Sequence, residues 1–200
     1  MTGKEFLQFL HVAERLKSVT RHCYTADGTH EAVAGHCWRM TLVAMLLEPE
    51  LPDIDIQRVI RMCIIHDLGE AVTGDIPSFF KTDADERVEA NAIAGLLAML
   101  PEPQRETFRG LFAEMNAMET PEARCYKALE NFYYAFAVPL FIIIRQLVPA
   151  HTERLLQKLF DTFFFRTYGA ENAAEFPYLR ALRTLLCEET DEKIKQGGIA

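Results

Sequence analysis

Residues 55–70 read Asp-Ile-Gln-Arg-Val-Ile-Arg-Met-Cys-Ile-Ile-His-Asp-Leu-Gly-Glu, and this stretch decides the fold. Its apolar residues recur three and four positions apart, at residues 56, 59, 60, 63 and 64, which is typical of one buried helix face. An aspartate at residue 53 or 55 fits the N-cap of this helix. His66 and Asp67 close the helix, so ionisable side chains stand directly beside a predicted core.

Helical spacing continues on both sides of this segment, and the period-two alternation typical of strands is almost absent. Besides this third helix, the spacing predicts helices over residues 4–19, 32–47, 83–100, 104–118, 121–137, 149–168 and 177–195. Residues 20–31 are predicted to be irregular. Because there is neither a repeat nor a linker, we expect one all-α domain, a single compact helical bundle.

Composition restricts the class of protein. Half of the residues are hydrophobic and a quarter are charged, which excludes disordered and collagen-like chains. Lys and Arg number 21 against 29 Asp and Glu, and the net charge of −8 argues against nucleic-acid polymers and membranes as partners. The five cysteines are odd in number and form no CxxC pair, and residues 1–17 mix charged with apolar residues, so we expect no secretory leader there. We therefore expect reduced thiols and a cytoplasmic protein.

Several ionisable residues lie among apolar neighbours, where a polar group needs a partner. Glu70 follows His66 by one helical turn, Asp75 lies on a stiff glycine-proline turn, and His36 begins the second helix. Glu130 shares a helical stripe with tyrosines. Two imidazoles and two carboxylates suit a divalent ion such as Mn, Fe, Co, Ni or Zn. Taken singly, these residues fit a structural role in a core, a turn or a helix end better than a role in metal binding or catalysis.

Four short motifs occur in order along the chain. They are Glu31-Ala32-Val33-Ala34-Gly35-His36, His66-Asp67-Leu68-Gly69-Glu70, Gly74-Asp75-Ile76-Pro77 and Ala123-Arg124-Cys125-Tyr126-Lys127-Ala128-Leu129-Glu130. Together they resemble the successive signatures of the HD-domain hydrolases. Within that family, the Gly-Asp-Ile-Pro segment resembles the branch of the 5′-deoxynucleotidases. The resemblance implies one all-helical HD domain over residues 1–200, with a motif core at about 21–137 and C-terminal helices within 149–195 packed on it.

The resemblance also implies an activity and a set of site residues. The activity is removal of the 5′-phosphate from deoxyribonucleoside monophosphates, with one divalent transition metal (Mn, Co, Fe, Ni or Zn) as cofactor. The implied metal ligands are His36, His66, Asp67 and Glu130. The implied catalytic acids are Glu70, which would accept or position the proton of the attacking water, and Asp75, which would donate to the leaving oxygen, although these two roles could be exchanged. The implied substrate contacts are Arg21 to the phosphate and His22 to the sugar or base, with Lys81 and Arg39 as further anion contacts.

Three features depart from the family pattern. Glu130-Asn131 stands where relatives have aspartate and lysine, and Gly35 stands where an acid often precedes the histidine. Residues 132–148 are unusually apolar, although the run is too short to span a membrane, so we expect burial in the core or in a homodimer interface. Two alternatives stay open: a catalytically silent module that binds a nucleotide or a partner protein, and a hydrolase for a cyclic nucleotide, a guanosine polyphosphate or another phosphomonoester.

Overall fold

The structure of the protein is a computed structural model, which describes residues 2–25, 27–77, 80–133 and 170–195. In these ranges the helices are α1 Gly3–Ala13, α2 Val33–Leu47, α3 Ile56–Ile65, α4 Glu70–Thr73, α5 Asp83–Ala98, α6 Glu102–Ala117, α7 Pro121–Tyr133, α8 Ala170–Ala174 and α9 Pro177–Lys195. Two 3₁₀ turns, Glu14–Lys17 and Glu48–Glu50, and two strands, β1 Thr20–Tyr24 and β2 His30–Ala32, complete the described chain. The predicted all-α fold is confirmed.

Helix α3 lies at the centre of the core, as its apolar stripe predicts. Asp55 is the N-cap, and its side chain accepts a hydrogen bond from the Arg58 backbone amide at 3.1 Å. The buried side chains of α3 are Ile56, Val59, Met62, Cys63 and Ile65. Helices α2 and α7 both pack against α3. This packing places the C-terminal end of α3 beside His36 and Cys37, near the start of α2.

Capping residues explain where two further helices begin. Thr82 and Asp85 form a reciprocal capping box at the start of α5, with each side chain bonded to the other's backbone amide. The Thr120 hydroxyl accepts a hydrogen bond from the Ala123 amide at 3.1 Å, directly before α7. The predicted starts at Asp83 and Pro121 are therefore correct.

The prediction of an irregular stretch over residues 20–31 is wrong, because β1 and β2 form an antiparallel hairpin there. Thr20 pairs with Ala32 and Tyr24 pairs with His30, and Gly28 provides a positive φ of 82° in the connecting loop. Arg21 is buried on this hairpin. A charged residue at an inward-facing position hides the hydrophobic alternation by which a strand is recognised.

The other boundaries differ by a few residues. The predicted first helix, 4–19, is α1 followed by a 3₁₀ turn, and the short helices α4 and α8 were not predicted. Trp38, whose large apolar surface favours burial, is 66% exposed. The predicted helix 149–168, the last residues of the helix predicted to reach 137 and most of the apolar run 132–148 lie outside the described residues. In the described ranges, no helix combines the length and apolarity that crossing a membrane requires.

Candidate metal centre

Three potential ligand atoms converge where α2 meets the end of α3. His36 lies in the first turn of α2, and His66 and Asp67 follow α3 directly. The two histidine Nε2 atoms are 3.2 Å apart, and Asp67 Oδ2 lies 3.0 Å from His66 Nε2 and 3.6 Å from His36 Nε2. Within the described residues, these are the three side chains that lie close enough together to share one metal ion.

The spacing of these atoms fits a coordination sphere. Bonds of about 2.0–2.2 Å at angles of about 90–120° place neighbouring ligand atoms about 2.8–3.8 Å apart. The three measured distances fall in that range. Two imidazole nitrogens and one carboxylate oxygen are also a donor set that suits borderline divalent ions. The residues present therefore fit the metal that the resemblance implies.

Neighbouring groups orient the His66 ring. Its Nδ1 donates a hydrogen bond to the Cys63 carbonyl at 2.9 Å, one helical turn earlier, so Nε2 points to the cluster. The Cys37 sulfur lies 3.9 Å from the same Nδ1 atom. The Tyr126 ring packs edge-on against the His66 ring with their centroids 5.6 Å apart. The sequence analysis missed all three neighbours, although the three-residue spacing of Cys63 and His66 could have indicated the first.

The protonation of the two histidines differs. Burial, and next the charge of Arg21, lower the pKa of His36 well below its usual value. Burial is the largest influence on the pKa of His66 and acts to lower it, but the charges of Asp67 and Cys37 and the hydrogen bonds to both groups together raise this pKa. Burial is also the largest influence on Asp67 and opposes its ionisation, yet the charge and hydrogen bond of His66, together with the charges of His36 and Arg21, hold the pKa of Asp67 below its usual value. The Asp67 carboxylate therefore favours a positive charge on the neighbouring His66 ring.

Glu70 begins α4 and is buried, with 6% of its surface exposed. Its Oε2 atom has no hydrogen-bond partner among the described residues. Burial, followed by the charges of Asp67 and Asp75, raises the pKa of Glu70 to about 9, although Arg21 opposes this shift. Glu70 therefore holds a proton at neutral pH while no cation compensates its carboxylate neighbours.

Asp75 and His22 face each other across the hairpin and the Gly-Asp-Ile-Pro turn. His22 Nδ1 and Asp75 Oδ2 are 3.9 Å apart. The preceding Gly74 has a φ of 80°, a conformation that favours glycine. The Asp75 carboxylate, and next the Cys23 thiol, raise the pKa of His22 to about 9 despite partial burial. The sequence analysis named both residues but did not predict that they pair.

Glu130 does not belong to the three-residue group. Its Oε2 atom accepts a hydrogen bond from Lys127 Nζ at 2.7 Å, one turn earlier on α7. Burial, and next the negative charge of Glu130, raise the pKa of Tyr126, whose hydroxyl also bonds to Glu130. Because the Tyr126 ring packs on His66, Glu130 lies in the next layer of side chains around the cluster.

Three cations lie around the site. The charge of the buried Arg21 acts on His36, Asp67 and Glu70. Lys81 forms an ion pair with Glu89, and its charge also acts on Glu70 and Asp67. Arg39, one turn after His36 on α2, acts on His36. Basic side chains that could contact an anionic substrate therefore lie near the cluster, although the whole chain is acidic.

Comparison with known proteins identifies the family. Residues 13–138, more than half of the chain, match the sequence model of the family described as HD domain. The chain belongs to the HD domain family. The matched residues contain all four motifs of the sequence analysis, together with the hairpin and helices α2 to α7.

Several relatives of this HD domain are 5′-deoxynucleotidases. One from Schizosaccharomyces pombe is 30% identical over 132 residues, and one from Xenopus laevis is 33% identical over 133 residues. These matches cover 62% and 64% of this chain, and 66% and 65% of the relatives, slightly under two thirds of their length. A 5′-deoxynucleotidase from Danio rerio is 27% identical over 96% of this chain and 91% of its own.

Solved structures are similar in fold. The crystal structure of a predicted metal-dependent phosphohydrolase from Magnetospirillum magnetotacticum has a TM-score of 0.70 at 25% identity. The similarity covers 95% of this chain and 93% of that one. An HD phosphohydrolase of cyanophage S-2L, bound to dA and one catalytic Zn²⁺ ion, has a TM-score of 0.51 at 18% identity over 93% and 96% of the two chains. At 18% identity, the similarity to the cyanophage protein shows only a shared fold.

Proposed function

We propose that this HD domain is a metal-dependent phosphomonoesterase that removes the 5′-phosphate of deoxyribonucleoside monophosphates. The observation that carries the proposal is the convergence of His36, His66 and Asp67, with ligand atoms 3.0–3.6 Å apart. The 5′-deoxynucleotidases among its relatives support the choice of substrate. The proposed cofactor is one divalent transition metal, held by His36, His66 and Asp67 with Glu130 as fourth ligand. When bound, such an ion supplies a Lewis acid that activates water and neutralises phosphate charge.

The remaining chemistry falls to side chains of this chain. We assign Arg21, buried beside the cluster, to the phosphate group, because a guanidinium binds phosphate through two parallel hydrogen bonds. A cavity of about 220 Å³ adjoins the turn that holds Asp75, and its lining includes Ile76, Lys81 and Val88. The lining also includes the carboxylates of Asp85 and Glu89, and the cavity provides space for part of the nucleoside.

Hydrolysis requires two proton transfers, and Glu70 and Asp75 are the two acids that we assign to them. A water oxygen forms a bond to phosphorus and loses one proton to a carboxylate. The bond from phosphorus to the 5′-oxygen breaks, and that oxygen takes a proton from a carboxylic acid. Glu70 is more easily ionised once the neighbouring charge of Asp67 is compensated, because that charge is one cause of its raised pKa.

Phosphate release from a substrate panel tests this proposal. The purified chain is loaded separately with Mn²⁺, Co²⁺ and Zn²⁺ and assayed with the four deoxyribonucleoside monophosphates, the matching ribonucleotides, a cyclic nucleotide and a guanosine polyphosphate. We expect metal-dependent release from the deoxyribonucleoside monophosphates. Release only from another member of the panel would change the substrate class. Nucleotide binding without release by the metal-loaded, folded protein would instead support the catalytically silent module.

Four further expectations from the sequence remain proposals. They are a single domain over residues 1–200, a homodimer, a cytoplasmic location and a small-molecule nucleotide as partner. Light scattering during size-exclusion chromatography distinguishes a monomer of 22.8 kDa from its dimer. A limited-proteolysis experiment tests the single domain, because a second independently folded unit would survive as a stable fragment.

A further inference from the structure

The strand that carries Arg21 is not regularly paired. Thr20 pairs with Ala32 and Tyr24 pairs with His30, so three residues of β1 lie opposite a single residue of β2. A register shift of this kind locally disrupts the hydrogen bonds between two strands and turns a side chain to a new direction, as in a β-bulge. Arg21 is the first residue of this irregular stretch, so the ladder alone fixes its backbone less firmly than in a regular strand pair.

A side chain of the neighbouring strand holds the backbone of Arg21. His30 is the first residue of β2, and its Nδ1 atom lies 3.0 Å from the Arg21 carbonyl oxygen. A carbonyl oxygen only accepts hydrogen bonds, so the Nδ1 atom of His30 carries a proton and is the donor. The neutral ring protonated at Nδ1 and the imidazolium both have this donor, so the contact does not require a change of charge.

The chain on the other side of Arg21 is also fixed. The Val33 amide donates a hydrogen bond to the Val19 carbonyl at 2.9 Å, and Val33 is the fully buried first residue of α2. The backbone is therefore held two residues before Arg21 and again at the carbonyl of Arg21 itself. The second contact comes from a side chain, so a substitution can remove it.

The side chain that this backbone directs belongs to the site. Arg21 is 5% exposed, and its charge acts on His36, Asp67 and Glu70, so its guanidinium lies near the cluster. A guanidinium binds phosphate through a rigid planar fork whose direction must match the phosphate oxygens. A small rotation of the backbone that carries the fork therefore weakens the contact.

We propose that His30 is a positioning residue, whose hydrogen bond to the Arg21 carbonyl fixes the irregular part of β1 and thereby directs the Arg21 guanidinium at the phosphate of the substrate. This inference rests on the proposed function. It adds to the site a residue that lies outside all four sequence motifs. Because His30 is exposed, its replacement leaves no cavity in the core.

The contact is first tested without any assay of activity. In the Zn²⁺-loaded, ¹⁵N-labelled protein, nuclear magnetic resonance observes the Nε–H group of Arg21, which is identified by its loss in Arg21→Lys. We expect this resonance to shift in His30→Ala and to return toward its wild-type position in His30→Asn, because the asparagine Nδ2 atom donates from the same place as histidine Nδ1. Identical resonances in the wild type and His30→Ala would overturn the proposal, whatever the enzyme does.

The effect on phosphate binding is measured by calorimetry of the same Zn²⁺-loaded proteins with inorganic phosphate. For His30→Ala we expect the dissociation constant to rise about 3- to 10-fold, the effect of losing one hydrogen bond. His30→Asn should restore wild-type affinity. The matched control His11→Ala, in which an exposed histidine of α1 is replaced, should keep it. The kcat/KM for a deoxyribonucleoside monophosphate should fall in His30→Ala and recover in His30→Asn in the same way.

Unchanged phosphate affinity in His30→Ala would overturn the proposal. Equal losses in His30→Ala and His30→Asn would also overturn it, because the donated hydrogen bond would then not be the cause. Unchanged affinity in Arg21→Lys would refute the role assigned to Arg21 and the proposal with it. Phosphate binding without release from any nucleotide would refute the proposed activity alone, since the phosphate affinities would still decide the role of His30.

Discussion

The Nε2 atoms of His36 and His66 face each other at 3.2 Å, although thirty residues separate them in the chain. The first atom is carried by α2 and the second by the residue that ends α3, and these two helices pack together. Both nitrogens are buried, and Asp67 Oδ2 is the third member of the cluster. The packing of two helices therefore sets the geometry on which metal binding depends.

Asp67→Asn removes the negative charge of the cluster with almost no change in shape. We expect metal affinity to fall by at least about 100-fold, since the loss of outer partners alone costs about 10- to 100-fold. Metal content after dialysis, measured by inductively coupled plasma mass spectrometry, checks this. Asp53→Asn, at an exposed aspartate, is the control and should keep its metal. Equal metal content in both variants would contradict the proposed centre.

Glu130→Gln tests the fourth ligand. Glu130 is paired with Lys127 through Oε2 in this structure, which leaves its other carboxylate oxygen to bind an ion. If Glu130 completes the coordination sphere, the variant should lose about 10-fold or more in metal affinity, measured by competition with a chelator. Glu175→Gln provides the control, because Glu175 is also paired, with Arg124, but at the surface. Unchanged affinity in Glu130→Gln would leave the centre with three protein ligands.

Gly69→Ala tests a close approach between the motif after α3 and helix α5. A Cβ atom at residue 69 would lie 2.8 Å from Glu89 Cγ and 3.0 Å from Ile93 Cγ1. We expect a loss of about 1–3 kcal/mol in the free energy of unfolding, because the overpacked side chains must shift.

Gly110→Ala is the matched control for that substitution. Gly110 lies inside α6, and a Cβ atom there would have no neighbour within 4 Å. Alanine should stabilise the helix by about 0.5–1 kcal/mol. Urea unfolding measures whether Gly69→Ala lowers the free energy of unfolding and whether Gly110→Ala raises it. Destabilisation by both changes to a similar extent would show that the contact with α5 is not the cause.

Glu70→Gln should raise the free energy of unfolding of the metal-free protein, and this increase should be larger at higher pH. The pKa of Glu70 is raised from 4.5 to about 9 by burial first and by nearby carboxylates next. The folded state therefore keeps a proton that the unfolded state releases over this range, so wild-type stability falls as pH increases. Glutamine does not titrate, so its contribution does not change with pH. We expect the free energy of unfolding of Glu70→Gln to exceed that of the wild type by about 1–3 kcal/mol at pH 8.

Urea unfolding in the presence of a chelator at pH 5 and pH 8 measures this difference. Glu106→Gln, at an exposed position of α6, serves as a control whose effect should be the same at both pH values. The prediction is contradicted if Glu70→Gln and the wild type differ equally at pH 5 and pH 8.

Much of the fold follows from local sequence signals. The stripe of α3, the Asp55 cap and the start of α7 at Pro121 are visible in the sequence because capping and helical periodicity act within a few residues. The hairpin is not visible, because the buried position of β1 that faces the site is an arginine. Trp38 is similarly misleading, since its apolar surface predicts burial but no described element covers it.

The sequence by itself determined a helical chain, the order of four motifs and the residue types that could bind a metal. Whether those residues meet was decided only by the tertiary structure, because side chains thirty or more residues apart are brought together by helix packing and not by spacing. Packing grouped His36 with His66 and Asp67, and set His22 against Asp75. It also determined the surroundings of Glu70, since burial and neighbouring charge, which control its proton, exist only in the folded chain.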